Sequence, residues 1–259
     1  MSGDARDPAA VKQAVVGART VISAITGFGP TRGVSPRTID WEGNAHLIRA
    51  SRDAGVEHFV LLSICQAAAD HPIELFRMKA RAEEELRRSG LAWTIIRPTA
   101  YMETWLGLLG APLLDAGSTR IFGRGENPIN FVSSRDVARY VDLAVTDDAM
   151  RGVAVDLGGP ENPTANQVVA TFRSVTGANG RVSHIPLPMM RVMSVAMKPL
   201  NPAMADLIEA AVVMDTRDMT FDPTETRRRY PSMPSTTLVD VIREDYADRS
   251  PGPGGAIEH

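Results

Sequence analysis

The chain has 259 residues and a formal net charge of −3 at pH 7, so it offers no basic field to attract a nucleic-acid backbone. No run approaches the roughly 18 apolar residues that cross a bilayer, and no signal-like segment is expected at the start. The lone cysteine, Cys65, excludes an internal disulfide, and the five histidines lack metal-ligand spacing. These features predict a cytoplasmic protein that binds no nucleic acid, membrane or metal.

The first hundred residues alternate helical patterns with continuous apolar runs. A helix is predicted over Ala9–Val16, with Asp7 as its cap and Pro8 at its first position. Three runs are typical of strands buried on both faces, namely TVISAI (Thr20–Ile25), HFVLLS (His58–Ser63) and AWTIIRP (Ala92–Pro98). Two helices are predicted between them, IDWEGNAHLIRASRDAG and PIELFRMKARAEEELRRSG. This alternation predicts βαβ units and a parallel sheet.

The second of those helices has an amphipathic pattern. Its glutamates and arginines are expected to face solvent, and its inward positions are Leu75, Met78, Ala82 and Leu86. The pattern predicts that one face of this helix covers the sheet.

The later part of the chain is less regular. NFVSSRDVARYVDLAV predicts a short strand and a helix capped by Ser133 or Ser134, and GVAVDLGG predicts another strand. A helix follows with a capping box from Thr164 to Gln167. Beyond it, a methionine-rich segment could equally wall a substrate pocket or pack as adaptable core, and TTLVDVIREDYA predicts a last helix. We therefore expect a domain over 1–160, a mostly helical C-terminal lobe over 161–248 and a disordered tail over 249–259.

The loop GFGPTRG after TVISAI imitates a dinucleotide-binding motif. Its glycines are Gly27, Gly29 and Gly33, but a phosphate site requires a helix to begin inside the motif. Pro30 and Pro36 interrupt here, and the helical pattern starts only near Ile39. The loop is therefore not expected to bind the pyrophosphate, although a loop at the carboxyl end of a parallel strand can line a ligand crevice.

Three stretches taken in order resemble one known family. They are GDARDPAAVKQAVVGARTVISAITG, DWEGNAHLIRASRDAGVEHFVLLS and LFRMKARAEEELRRSGLAWTIIRPTAYMETW. They are similar to the NmrA-like, atypical short-chain dehydrogenases/reductases, which are Rossmann-type NAD(P)-binding proteins. That family includes reductases of quinones, dyes and flavonoid-like molecules as well as redox-sensing regulators.

The resemblance also implies a block that this sequence lacks. In the family, a first βαβαβ portion of about 60 residues carries the glycine-rich phosphate loop and precedes the GD at Gly3–Asp4. We therefore expect a doubly wound parallel α/β sheet without that portion, from either a late-assigned start or a truncated product. An exposed edge at TVISAI, self-association through it and weak binding of NADP(H) or NAD(H) are the expected consequences.

The resemblance assigns roles to residues at the strand ends. It implies Lys79, Ser63 and Tyr101 as catalytic candidates, and it implies cofactor contacts by Asp4, Gly27, Phe28, Lys79, Pro98 and Thr99. The expected substrate pocket consists of Cys65, Gln66, Tyr101, Glu103 and Trp105. Short-chain reductases place a proton-donating tyrosine four residues before the lysine, and here that position is Leu75.

Two functions remain open at this point. One is an NAD(P)H-dependent reductase of a small conjugated acceptor, such as a quinone or enone, that needs no strong protein acid. The other is a non-catalytic redox sensor that binds the dinucleotide and a protein partner. A catalytic role for the Cys65 thiol is disfavoured, because no base or electropositive setting is evident near it.

Overall fold

A computed structural model describes residues 3–29, 31, 33–246 and 249. Its strands are β1 (Thr20–Ser23), β2 (His58–Leu62), β3 (Ala92–Pro98), β4 (Ala100–Tyr101), β5 (Ser118–Phe122), β6 (Phe131–Val132), β7 (Val153–Leu157) and β8 (Arg181–Ile185). Its α-helices are α1 (Pro8–Ala14), α2 (Asn44–Asp53), α3 (Glu74–Arg88), α4 (Met102–Leu109), α5 (Ala111–Asp115), α6 (Ser134–Thr146), α7 (Ala165–Thr176), α8 (Leu187–Met197), α9 (Pro202–Thr216), α10 (Thr224–Arg229) and α11 (Leu238–Tyr246). A π-helical segment, Arg37–Gly43, and a 3₁₀ helix, Asp148–Met150, complete the set.

The described residues divide into two compact units. Unit 1 comprises those within Met1–Pro98, Ala138–Leu157 and Ala196–Leu207, and unit 2 comprises those within Thr99–Val137, Gly158–Val195 and Ile208–His259. The predicted boundary near residue 160 stays a prediction. The tail predicted over 249–259 lies outside the described residues, except for Arg249.

Unit 1 contains a four-stranded parallel sheet in the order β1-β2-β3-β7. Val21 pairs with Phe59, and Phe59 pairs with Trp93. The three apolar runs therefore lie side by side in the same direction, as predicted, although β1 stops at Ser23 and β2 at Leu62. Strand β2 is buried almost throughout, as its apolar run predicts. Strand β1 is not buried on both faces, because Ile22 is 48% exposed. The α/β Rossmann-like class is confirmed.

Helix α3 covers this sheet through an inward face that includes two charged residues. The predicted inward residues Leu75, Met78, Ala82 and Leu86 are buried. The expectation that the glutamates face solvent is wrong for Glu83, whose residue is 1% exposed, and Lys79 is also buried. Both lie three or four residues from the apolar positions of the helix, so they share its inward face.

The helix predicted to begin near Ile39 contains a different first segment. Arg37–Gly43 is π-helical, and the amide of Asn44 donates to the Ile39 carbonyl five residues earlier. The wider turn accompanies a tertiary contact, because the buried Asp40 carboxylate accepts the Gly27 amide at 2.8 Å. A single π-turn inside a helix often marks a functional or strained position.

Unit 2 has its own core and two short parallel strand pairs, β4 with β6 and β5 with β8. Its core comprises residues of α4, α7 and α11, with Phe172 fully buried. The Thr164–Gln167 capping box is present, and the Ser133 hydroxyl accepts the Arg135 amide at 3.2 Å at the start of α6. Elements β4, β5, β8, α4, α5, α8, α9 and α10 were not predicted individually. Among the described helices, none has both the length and the apolarity needed to cross a bilayer.

Candidate functional site

The carboxyl ends of β2 and β3 continue to pair beyond the sheet. The Ser63 amide donates to the Ile96 carbonyl at 2.8 Å, and the Cys65 amide donates to the Pro98 carbonyl at the same distance. Ligands of doubly wound sheets bind at this end of the strands. The structure therefore brings Ser63, Cys65 and Pro98 together in unit 1, and their catalytic, pocket and cofactor roles stay predictions.

Lys79 is buried at this edge and has three oxygen partners within the chain. Its ammonium donates to the Ile25 carbonyl at 3.0 Å and to the Leu62 carbonyl at 2.9 Å. It also forms an ion pair with Asp40 at 3.0 Å. An ammonium has three protons, and two of them are donated to these carbonyls, whereas Asp40 Oδ1 makes an ion pair with Lys79 but no hydrogen bond within the described residues. Its catalytic and cofactor roles stay predictions.

The loop after β1 is held close to the π-helical segment. A Cβ built on Gly27 would lie 2.2 Å from the Ser35 carbonyl oxygen, so no larger residue fits there. The Gly27 amide is taken by Asp40, and the Phe28 amide donates to the Thr26 hydroxyl at 3.2 Å. Cofactor contacts by Gly27 and Phe28 stay predictions, and their amides already have acceptors within the chain.

Ser63 is part of a buried charged cluster that sequence reasoning missed. Its hydroxyl donates to Glu83 at 2.5 Å, and Arg97 reaches both oxygens of the same carboxylate at 2.8 and 2.5 Å. Arg87 adds a bond at 2.9 Å from the same helix. Burial alone would raise the pKa of Glu83, but the hydrogen bonds from Arg97 and Ser63 lower it below its usual range. Glu83 is therefore an anion with four donors.

Cys65 and Gln66 follow Ser63 at the sheet edge. Burial, and then the nearby Asp156 carboxylate, raise the pKa of the Cys65 thiol to about 11. The thiol stays protonated at neutral pH and is a poor nucleophile, as expected. Gln66 is exposed with a φ of 63°, the left-handed region, where glutamine is rarely found. Strained backbone of this kind is concentrated at functional sites.

The expected cofactor contact Thr99 and the remaining expected pocket residues lie in unit 2. The Thr99 hydroxyl donates to the buried Asn130 at 2.9 Å. Burial, with a smaller effect from Glu103, raises the pKa of Tyr101 to about 12, so Tyr101 is a weak proton donor. Glu103 accepts the Ser133 hydroxyl at 2.8 Å and the Ser134 amide at 2.9 Å, which fixes the start of α6.

Trp105 and Asp4 have local partners of their own. The Trp105 ring packs edge-on against Phe131 at 5.8 Å between centroids, within the core of unit 2. Asp4 is exposed and accepts three bonds from the Arg6 side chain, which hold its pKa at about 2. Their pocket and adenine-contact roles stay predictions.

The residues that sequence reasoning missed are Asp40, Glu83 and Asn130. Glu83 could have been found, because it lies four residues after Lys79 and three before Leu86, on the inward stripe of α3. Asn130 joins the Gly159 amide and the Gly159, Glu161 and Asn162 oxygens to Thr99. Because these partners are distant from Asn130 in sequence, no local sequence pattern predicts them.

The polar groups at the sheet edge suit the nicotinamide end of a dinucleotide better than its pyrophosphate. The Ser63 oxygen can still accept a hydrogen bond, which suits the carboxamide of a nicotinamide ring. The described part of the loop after β1 has no helix N-terminus among residues 24–35 for a pyrophosphate. Parallel strands with a polar, partly strained carboxyl edge define the chain as a Rossmann-type α/β protein.

Comparison with known families agrees with this class. The NAD(P)H-binding family matches residues 1–148, and the chain belongs to that family. This match confirms the resemblance to the NmrA-like, Rossmann-type proteins. The family is an oxidoreductase-like group that binds a nicotinamide cofactor.

Individual relatives differ in what they do. The chain is 30% identical to the photosystem II assembly factor Ycf39 of Synechocystis sp. over 194 residues, 74% of this chain and 59% of that protein. It is 24% identical to an NAD(P)H azoreductase of Xenophilus azovorans, over 95% of this chain and 82% of that one. An Escherichia coli NADPH-dependent quinone oxidoreductase complexed with NADPH superposes with a TM-score of 0.70 at 22% identity, over 94% of this chain and 82% of that one. The chain spans less than two thirds of the first of these relatives.

Proposed function

We propose that this chain acts as an NAD(P)H-dependent oxidoreductase that transfers hydride to a small conjugated acceptor such as a quinone or an enone. One observation carries the proposal. Leu75 is buried, at 8% exposure, four residues before Lys79, where a short-chain reductase would hold its proton-donating tyrosine. A conjugated acceptor spreads the negative charge that hydride transfer creates, so it can take its proton from water. An ordinary ketone needs an acid at that moment.

In this scheme the nicotinamide supplies the hydride, and the chain holds the reactants. Ser63 and the strand end at Pro98 line the edge of the sheet. Lys79 ties the ends of β1 and β2 together through Ile25 and Leu62, which keeps that edge rigid. Tyr101 is the candidate acid among the predicted residues, and its raised pKa makes it a weak one.

The test is consumption of NADPH, followed by its absorbance, with a quinone, an enone and a ketone of similar size. We expect turnover with the conjugated acceptors and none with the ketone. A Leu75→Tyr variant is the matched control, because a restored acid would add ketone reduction without removing quinone reduction. Ketone turnover by the unaltered chain, with no quinone turnover, would contradict the proposal.

The second candidate is a non-catalytic, cofactor-binding regulatory or assembly protein. It is supported by the similarity to an assembly factor and by Lys79, which is buried and makes two hydrogen bonds and an ion pair within the chain. Fluorescence titration with NADPH separates the two candidates, because binding without turnover supports this one. The expectation that this chain binds the cofactor only weakly is tested in the same titration.

A further inference from the structure

We infer that Glu83 is a positioning residue that makes the Ser63 hydroxyl a hydrogen-bond acceptor only. The inference rests on the proposed function in one respect, namely that Ser63 faces a ligand. The ligand group that Ser63 takes is then an N–H or an O–H, and it is not a carbonyl oxygen.

The direction of the hydrogen bond between Ser63 and Glu83 follows from the other donors around Glu83. Arg97 donates from Nε and Nη2, and Arg87 donates from Nη2. These are charged groups with no acceptor capacity, so they favour the ionised carboxylate, which has no proton to offer. The short contact of 2.5 Å between Ser63 and Glu83 must therefore use the serine proton.

The geometry holds this arrangement in place. Glu83 is 1% exposed and Ser63 is 5% exposed, so water does not compete for either group. The Ser63 amide is fixed to the Ile96 carbonyl, and Arg97 belongs to the neighbouring strand β3. Rotation of the hydroxyl toward a ligand would leave a buried carboxylate oxygen with one donor fewer.

The chemical consequence concerns which substrates the site can activate. A serine that polarises a ketone must donate its proton to the carbonyl oxygen, and Ser63 has already donated that proton. Its lone pairs suit the carboxamide N–H of a nicotinamide or a hydroxyl of the acceptor. Ser63 and Leu75 thus disfavour simple carbonyl reduction for two independent reasons.

The first experiment measures the Ser63–Glu83 coupling in the chain without any ligand. Urea unfolding midpoints are compared for Ser63→Ala, Glu83→Ala and the double variant. Glu83→Gln is the milder second variant in case Glu83→Ala does not fold. Ser51→Ala is the matched control, since Ser51 is buried and its hydroxyl has no hydrogen-bond partner among the described residues.

We expect Ser63→Ala to lower the urea midpoint when Glu83 is present and to have less effect once Glu83 is removed. Equal losses in both backgrounds would overturn the inference.

The second experiment identifies the ligand group. Affinity for NADPH is compared with affinity for its 3-acetylpyridine analogue, which lacks the carboxamide N–H. Affinity for a hydroquinone is compared with that for its methyl ether. A preference of about 5-fold for the N–H or O–H form, the effect of one neutral hydrogen bond, should disappear in Ser63→Ala. The first pair assigns the donor to the cofactor and the second assigns it to the acceptor.

The two experiments separate the two proposals. Equal affinities within both pairs, with binding retained, would overturn the acceptor role of Ser63. Failure to bind any of these ligands would overturn the proposed function, and the unfolding cycle would still decide whether Glu83 orients Ser63.

Discussion

Cys65 lies at the carboxyl edge of the sheet, where its thiol is partly buried and its amide is bonded to Pro98. Its pKa is raised from 9.0 to about 11 by burial and by Asp156. A rise of two units reduces the thiolate fraction near neutral pH about 100-fold. We expect iodoacetamide to modify Cys65 about 100-fold more slowly in the folded chain than in urea. Equal rates in the two states would contradict the raised pKa of the Cys65 thiol.

The ionisation of Glu83 makes the free energy of unfolding depend on pH. Its folded pKa is lowered from 4.5, so its contribution is fully present above about pH 4.5 and is lost as the pH falls through the folded value. The charged groups facing the cluster are Arg97, Arg87 and, beside Arg97, Asp156. We expect Glu83→Gln to lower the free energy of unfolding at pH 7 by about 2 kcal/mol, the size of a hydrogen bond to a charged group. The loss should shrink in acid.

The measurement for that prediction is urea unfolding at pH 7 and at several acidic values. Glu85→Gln is the matched control, because Glu85 is exposed on the same helix. It should change the free energy of unfolding by less than about 0.5 kcal/mol. A Glu83→Gln loss that is the same at every pH would contradict the assigned ionisation.

At the scale of elements, the loop after β1 depends on one close approach. A Cβ at Gly27 would lie 2.2 Å from the Ser35 carbonyl oxygen, whereas one at Gly29 would meet no described atom within 4 Å. We expect Gly27→Ala to cost about 1–3 kcal/mol by displacing the loop, and Gly29→Ala to be nearly neutral. Unfolding midpoints at constant m-value measure both. Equal effects would show that the loop is not held at Gly27.

The junction of α4 and α5 offers a second matched pair of glycines. A Cβ on Gly110 would lie 2.4 Å from the ring of Phe172, which is fully buried. Gly107 is exposed inside α4 and would meet no described atom within 4 Å. We expect Gly110→Ala to destabilise by about 1–3 kcal/mol and Gly107→Ala to stabilise by about 0.5–1 kcal/mol, since alanine favours helix. Thermal unfolding of both variants checks the opposite signs.

At the scale of the whole molecule, β1 is an edge strand of the described sheet, because it pairs with β2 alone. Ile22 in this strand is 48% exposed. An apolar edge with free backbone groups favours pairing with another chain. We expect concentration-dependent association in sedimentation velocity, reduced by Ile22→Lys. Val16→Lys, at an exposed position outside the strands, is the control and should leave association unchanged. A chain that stays monomeric at all concentrations would contradict this expectation.

Much of unit 1 could be predicted from local patterns. Strands β1, β2 and β3 were found within two residues of their observed ends, because strands of a parallel sheet carry continuous apolar runs. The expected burial on both faces is wrong for β1, which lies at the sheet edge with Ile22 exposed. The start of α1 was found through Asp7, whose carboxylate accepts the Ala9 amide at 2.9 Å. Strand β5 was missed although Thr119 and Ile121 alternate with exposed residues between turns. Its pattern was available, but it is short and pairs with β8 far along the chain.

The amino-acid sequence by itself determined the parallel α/β architecture, the family and the leucine at position 75, because these depend on residue types and on spacing within one element. Only the tertiary structure decided the partners of the charged residues. Lys79 reaches Asp40 and Ile25, and Glu83 reaches Ser63 and Arg97, across different elements. A buried charge is tolerated only where such partners surround it, and those partners are brought together by the packing of helices on the sheet.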